Sequence, residues 1–184
     1  DAIFAIIKNN KTKLIDVGEV NGVIFINHAW LGSYYYIMKM REKHKDILGK
    51  SKILKALTNI FWMFKHLPIY EFKIESDEHA GTYKTCLIFI STNESSSSPF
   101  HFGTRALMST GLLDINIINC HTRMQLLKCM LSVLLLGYKK SKYVKQFPIQ
   151  ELTISSSHTQ VNIVLDGETL KLESPLIFAC LKNK

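Results

Sequence analysis

Near the end of the chain, Asp166-Gly167-Glu168 sets two carboxylates around a glycine directly after the apolar run Gln160–Leu165. A glutamate on such a turn can face a cleft and accept a proton from a substrate hydroxyl, provided it is held within about 3 Å of that proton. The same Asp-Gly pair between Leu165 and Leu170 also reads as a plain hairpin turn. A second cluster, Ala106 through Gly111-Leu112-Leu113-Asp114, leads a glycine turn into an apolar strand. It would aim backbone carbonyls outward, or simply turn the chain before a buried strand. The seven histidines, His28, His44, His66, His79, His101, His121 and His158, show no zinc-ligand spacing with one another or with cysteine. No Gly-x-x-x-x-Gly-Lys loop, dinucleotide glycine fingerprint or Gly-x-Ser-x-Gly elbow occurs, so no site for ATP phosphates is recognisable.

These residues need a scaffold, and most of the chain reads as strand. Short runs rich in β-branched and aromatic residues, bounded by turn residues, cover Lys13–Val17, Val23–His28, Ile69–Glu75, Thr85–Ser91, Leu113–Asn119, Ile149–Ser155, Gln160–Leu165 and Leu176–Leu181. Asn21-Gly22 joins the first two as a tight hairpin, because both residues tolerate positive φ. Gln160–Leu165 alternates, with Val161, Ile163 and Leu165 on one face, as a half-buried strand does. Two segments carry the helical period instead. Thr122–Leu136 opens on a capping box, Thr122 with Gln125, and stops at Gly137. Ser51–His66 stops before Pro68 and puts Ile53, Leu54, Leu57, Ile60, Phe61 and Phe64 on one arc. Its opposite face carries Lys52, Lys55, Asn59, Trp62 and Met63. An indole among lysines suits a membrane interface or a docking partner, or else Trp62 packs on a loop of its own domain. The expected fold is therefore α+β, mainly β: an antiparallel β-sandwich with two main helices.

Length and composition agree with this. A chain of 184 residues, 47% apolar and 21% charged, supports one good core, and its composition excludes collagen-like, mucin-like and largely disordered chains. Met124–Leu136 is cut by Lys128 and is too short to cross a bilayer. Cys86, Cys120, Cys129 and Cys180 lack clustered spacings, which suits a reducing, cytoplasmic setting. The start, Asp1-Ala2-Ile3-Phe4, reads as neither a signal peptide nor a natural beginning, so an excised or processed fragment is expected. The net charge is +8, and Lys39–Lys65 alone holds eight basic residues against Glu42 and Asp46. A second cluster is Lys139, Lys140, Lys142 and Lys145. Such runs attract phosphate-rich partners or form a solvated face. Nucleic acid is set aside, because the lysines lack interleaved exposed aromatics.

Taken in order, the pieces resemble the C-terminal part of the diacylglycerol-kinase-like lipid kinases, the YegS and DgkB type that also includes sphingosine and ceramide kinases. The landmarks are Ile15-Asp16-Val17-Gly18, Asn21-Gly22, Phe25-Ile26-Asn27, Gly32, the basic Arg41–Lys50 stretch, Asn93, Phe102-Gly103, Ala106 through Asp114, Gly137 and Asp166-Gly167-Glu168. The resemblance covers nearly the whole chain and implies a single domain over residues 1–184, the β-sandwich, without the N-terminal ATP-binding domain. It implies Glu168 as the base for a lipid hydroxyl attacking the γ-phosphate, with Asp166 shaping the turn. ATP and Mg²⁺ are implied for the complete enzyme and none for this chain alone. Family members use two backbone carbonyls and an Asp for a regulatory metal; the matching positions are Leu107, Thr110 and Leu112, and Thr110 stands where the Asp would be. A hydroxyl substitutes poorly for a carboxylate with a hard cation, so no tight site is expected.

The leading expectation is the lipid-substrate half of a lipid kinase, inactive without its other half. The alternatives are a non-catalytic lipid-binding or interaction module of the same fold and, more weakly, a domain like that of NAD kinases. Expected partners are a lipid alcohol, an anionic membrane surface met by Lys52, Lys55, Trp62 and Met63, and the missing ATP-binding domain; a homodimer is among the assemblies allowed. The identity of the lipid is not encoded in any motif, because acyl-chain pockets are built from the same Leu, Ile and Phe as a core.

Overall fold

The computed structural model describes residues 14–43, 68–92, 110–120, 122–136 and 141–184. Within them the chain order is β1 (Val17–Val20), β2 (Val23–Phe25), β3 (His28–Gly32), α1 (Tyr34–Lys43), β4 (Tyr70–Glu75), β5 (Ala80–Thr85), β6 (Leu87–Ser91) and β7 (Leu113–Ile118). Then come α2 (Arg123–Leu136), β8 (Val144–Ile149), β9 (Glu151–Ser156), β10 (Gln160–Leu165), β11 (Glu168–Glu173) and β12 (Leu176–Leu181). The strands form two six-stranded sheets, ordered β2-β1-β12-β9-β4-β5 and β11-β10-β3-β6-β7-β8, with antiparallel pairing throughout. This is the mainly-β, antiparallel architecture that the strand pattern predicts.

The sheets meet through alternating side chains. Phe72, Ile74, Ile154 and Phe178 from the first sheet pack with Leu31, Ile88, Ile115 and Ile163 from the second, all with 0–1% exposure. Each such side chain contributes about 1.5–3 kcal/mol by leaving water, so this layer supplies most of the driving force. The expected alternation in β10 is present, since Val161, Ile163 and Leu165 all face the core. A second, smaller cluster under α2 joins Cys86, Cys120, Leu126 and Cys129 to Leu87, Ile118, Tyr143 and Val144. Among the described residues, no helix is long and apolar enough to cross a membrane.

Three strands, β5, β8 and β11, lie beyond the expected set, and further differences fall where the chain changes sheet. The run Val23–His28 is two strands, β2 in the first sheet and β3 in the second, broken at Ile26-Asn27. Thr85–Ser91 breaks at Cys86 in the same way, and Ile149–Ser155 breaks at Gln150. A corner in a sandwich leaves the apolar run continuous, because both arms still face one core. Of the expected strand Lys13–Val17, Lys13 lies outside the described residues and only Val17 belongs to β1, which runs on to Val20; ahead of it, Ile15 exchanges backbone hydrogen bonds with Lys184 (3.0 and 3.5 Å). The Asn21-Gly22 turn is as expected, with Val20 opposite Val23. The capping of α2 holds too, the Gln125 N–H donating to Thr122 Oγ1 at 3.2 Å. α1 was not expected, since Tyr34-Tyr35-Tyr36 carries a strand-like composition. The predicted helix Ser51–His66, Gly137 and Leu107 lie outside the described residues.

Candidate active site at the β10–β11 turn

Leu165 and Glu168 are the last paired residues of the β10–β11 hairpin, so Asp166 and Gly167 form a two-residue turn. Their φ angles, +49° and +99°, are the positive pair such a turn requires. The plain-turn reading of this motif is therefore what the backbone adopts. Beside the turn lies the corner between β2 and β3, where the change of sheet leaves backbone N–H groups without ladder partners. The Asp166 carboxylate accepts three of them: Ile26 N–H at 2.6 Å, Asn27 N–H at 2.8 Å and His28 N–H at 2.9 Å. In return, Asp166 N–H donates to the His28 carbonyl at 2.9 Å. From the other side Thr92 closes the corner, its hydroxyl donating to the Ile26 carbonyl at 2.6 Å and its N–H to that of Asn27 at 3.3 Å.

The electrostatics follow from these contacts. Partial burial pushes the Asp166 carboxyl up, but the three amide donors and the neighbouring His28 outweigh it, holding the group below the usual carboxylate range. Asp166 is thus a fixed anion that pins turn and corner together. Glu168, two residues on, opens β11 and is exposed at the rim. Its carboxylate is therefore reachable by an incoming hydroxyl, on a backbone that the Asp166 contacts hold still.

The same end of the second sheet gathers further polar groups. His28, Ser91 and Asp114 are successive cross-strand partners on β3, β6 and β7. Asp114, 5% exposed, accepts two hydrogen bonds from the Gln146 amide (2.8 and 2.9 Å) and one from Asn116 Nδ2 (3.2 Å). Alongside runs an aromatic row, in which Trp30 stacks on Tyr34 at 4.3 Å and meets Phe89 at 4.2 Å, and Phe89 meets His28 at 5.0 Å. A cavity of about 470 Å³ lined by Tyr36, Tyr70, Gln160 and Asn162 opens at the far end of β10, away from Glu168.

The structure brings together landmarks that are distant in sequence: the Ile26-Asn27 corner, the end of β6, Asp114 and Asp166-Gly167-Glu168 converge at one end of the second sheet. Thr110 and Leu112 are exposed at the entry to β7, and the Leu112 N–H donates to Thr110 Oγ1 at 3.3 Å. Between them the Gly111 N–H donates at 2.6 Å to Asp16, a buried carboxylate that also takes the Asn183 N–H at 3.1 Å. With a hydroxyl in place of a carboxylate, and that hydroxyl engaged locally, Thr110 and Leu112 do not fit a hard-cation site. Leu107, Lys52, Lys55, Trp62 and Met63 lie outside the described residues. Sequence reasoning missed Thr92, Gln146 and the carboxylate role of Asp16; the signal for Asp16 was a lone acid inside the apolar run Leu14–Val17.

Residues 50–181 match the domain family described as the YegS C-terminal NAD kinase beta sandwich-like domain. No curated protein sequence matches the chain. Among solved structures, a diacylglycerol kinase from Bacillus anthracis str. Sterne superposes with a TM-score of 0.57 at 13% identity, over 97% of this chain and 54% of its own. A candidate diacylglycerol kinase from the same organism gives a TM-score of 0.62 at 20% identity, over 96% of this chain and 57% of its own. At such identities the likeness is one of fold, and this chain spans little more than half the length of either structure. The family match extends over well more than half of the chain, across both sheets and the Asp166-Gly167-Glu168 turn. The chain accordingly belongs to the family of YegS-type C-terminal β-sandwich domains.

Proposed function

We propose that this chain is the lipid-substrate half of a lipid kinase of the diacylglycerol and sphingosine kinase type, with Glu168 as general base. The observation that carries the proposal is the triple amide grip on Asp166 (2.6–2.9 Å) beside an exposed Glu168. Phosphoryl transfer asks the protein chiefly for a positioned nucleophile and for charge stabilisation. Glu168 supplies the first by taking the proton of a lipid hydroxyl as its oxygen bonds to phosphorus. Asp166 keeps that carboxylate in place and is not consumed. ATP, held with Mg²⁺ by a separate N-terminal domain, would supply the phosphoryl group, the bond from its γ-phosphorus to the bridging oxygen breaking as ADP leaves. A membrane surface met through Lys52, Lys55, Trp62 and Met63 would deliver the lipid, and the enzyme would be peripheral.

A second reading, a sandwich that binds lipid without chemistry, is favoured by Thr110 in place of an acid. The test is transfer of radiolabelled γ-phosphate by the complete protein to diacylglycerol, sphingosine, ceramide and NAD. Label in a lipid product is the expected result. Lipid binding without transfer supports the second reading, and label in NAD alone overturns both.

A further inference from the structure

The two faces of α2 are unlike. Leu126 and Cys129 are buried against the second sheet, whereas Met124, Leu127 and Leu131 are 59%, 46% and 55% exposed. At 100° per residue these three fall within an arc of about 60°, opposite the buried pair, and Lys128 widens the exposed arc to about 100°. Successive exposed positions are about 5 Å apart along the axis, which makes a continuous apolar ridge. Single exposed apolar side chains need no explanation, but three in register on one helix, away from the core, mark a contact surface.

The charge around the ridge says what it contacts. Between Asp114 and Glu151 the chain has no acidic residue, and it carries Arg123, Lys128, Lys139, Lys140, Lys142 and Lys145. Lys128 and Lys142 are exposed, whereas the Lys145 ammonium lies over the Tyr83 ring at 5.0 Å, on the other face of β8. A protein partner would need an acidic groove with an apolar floor, whereas a bilayer containing anionic lipid offers both features at once. Apolar side chains enter the boundary between headgroups and acyl chains, and lysines stay with the phosphates. We infer that α2 is a membrane-docking helix, its Met124-Leu127-Leu131 ridge inserted into an anionic leaflet and flanked by Lys128 and Lys142. This is a different element from the Ser51–His66 segment, and it rests on the lipid-kinase reading only for the reason to visit a membrane.

The test uses the 184-residue chain and vesicles of phosphatidylcholine with or without phosphatidylglycerol. The chain should co-sediment with the phosphatidylglycerol vesicles, and Met124→Ser, Leu127→Ser and Leu131→Ser together should weaken binding about ten- to a hundredfold. Because another segment can also hold the membrane, a bimane label on Leu127→Cys reads the ridge directly. Its emission should shift to the blue with phosphatidylglycerol vesicles, while a label on Lys84→Cys should not respond. An unshifted label at position 127 overturns the inference, as does a dimer in the absence of vesicles that the serine substitutions dissolve. None of these readouts needs phosphoryl transfer, so kinase activity and membrane docking fail or succeed separately.

Discussion

Asp166 sits where a residue must both turn and bind. Its positive φ of +49° suits the hairpin, and its two oxygens serve three amide donors. Asparagine tolerates the same φ and keeps an acceptor, but it turns one oxygen into a donor facing an N–H. Asp166→Asn should therefore lower stability by about 1–2 kcal/mol, a figure already reduced for solvent exposure, as read by urea denaturation. The pH dependence has a definite sign. A carboxyl held below its ordinary value of about 4 stabilises the fold above that pH, and the contribution fades as pH falls through the lower folded-state value. The wild type should lose this increment under acid, and the Asp166→Asn variant should show a flatter acid limb.

At the scale of elements, the corners decide the architecture. Gly32 ends β3 with φ of +85°, and a Cβ there would lie 2.6 Å from the Cys86 carbonyl oxygen, at the corner between β5 and β6. Gly32→Ala should cost about 2–4 kcal/mol in thermal or chemical unfolding, through strain and displaced backbone. The thiols report on the same packing. All four cysteines are buried, and burial pushes Cys86 and Cys180 up to about 11, with Asp16 adding to the effect at Cys180. Iodoacetamide at neutral pH should leave Cys86 and Cys180 largely unmodified until denaturant is added, as mass spectrometry will show; fast native labelling of either would mean a looser core. Alternation and capping made β10 and α2 readable in the sequence, because both depend on near neighbours. The corners at Ile26-Asn27, Cys86 and Gln150 were hidden, since an apolar run looks the same whether it stays in one sheet or crosses to the other. The Asp166-Gly167-Glu168 turn was visible, but its amide partners lie 138–140 residues earlier, and no local pattern announces them.

For the molecule as a whole, Asp16 closes the chain upon itself. Its buried carboxylate joins the approach to β1, the entry to β7 at Gly111 and the C-terminal tail at Asn183. Asp16→Ala leaves two amide donors unserved and should destabilise the domain by about 2–4 kcal/mol, measured by the shift in its urea midpoint. That closure ties the start of the first sheet to the entry of the second. The most direct test of the account is the single-turnover rate of phosphate transfer to a lipid alcohol by the complete protein, wild type against Glu168→Gln. With Glu168 as base, the rate falls about 10²–10⁴-fold while the unfolding transition stays in place. A rate within a few-fold of wild type, on a folded variant, contradicts the assignment.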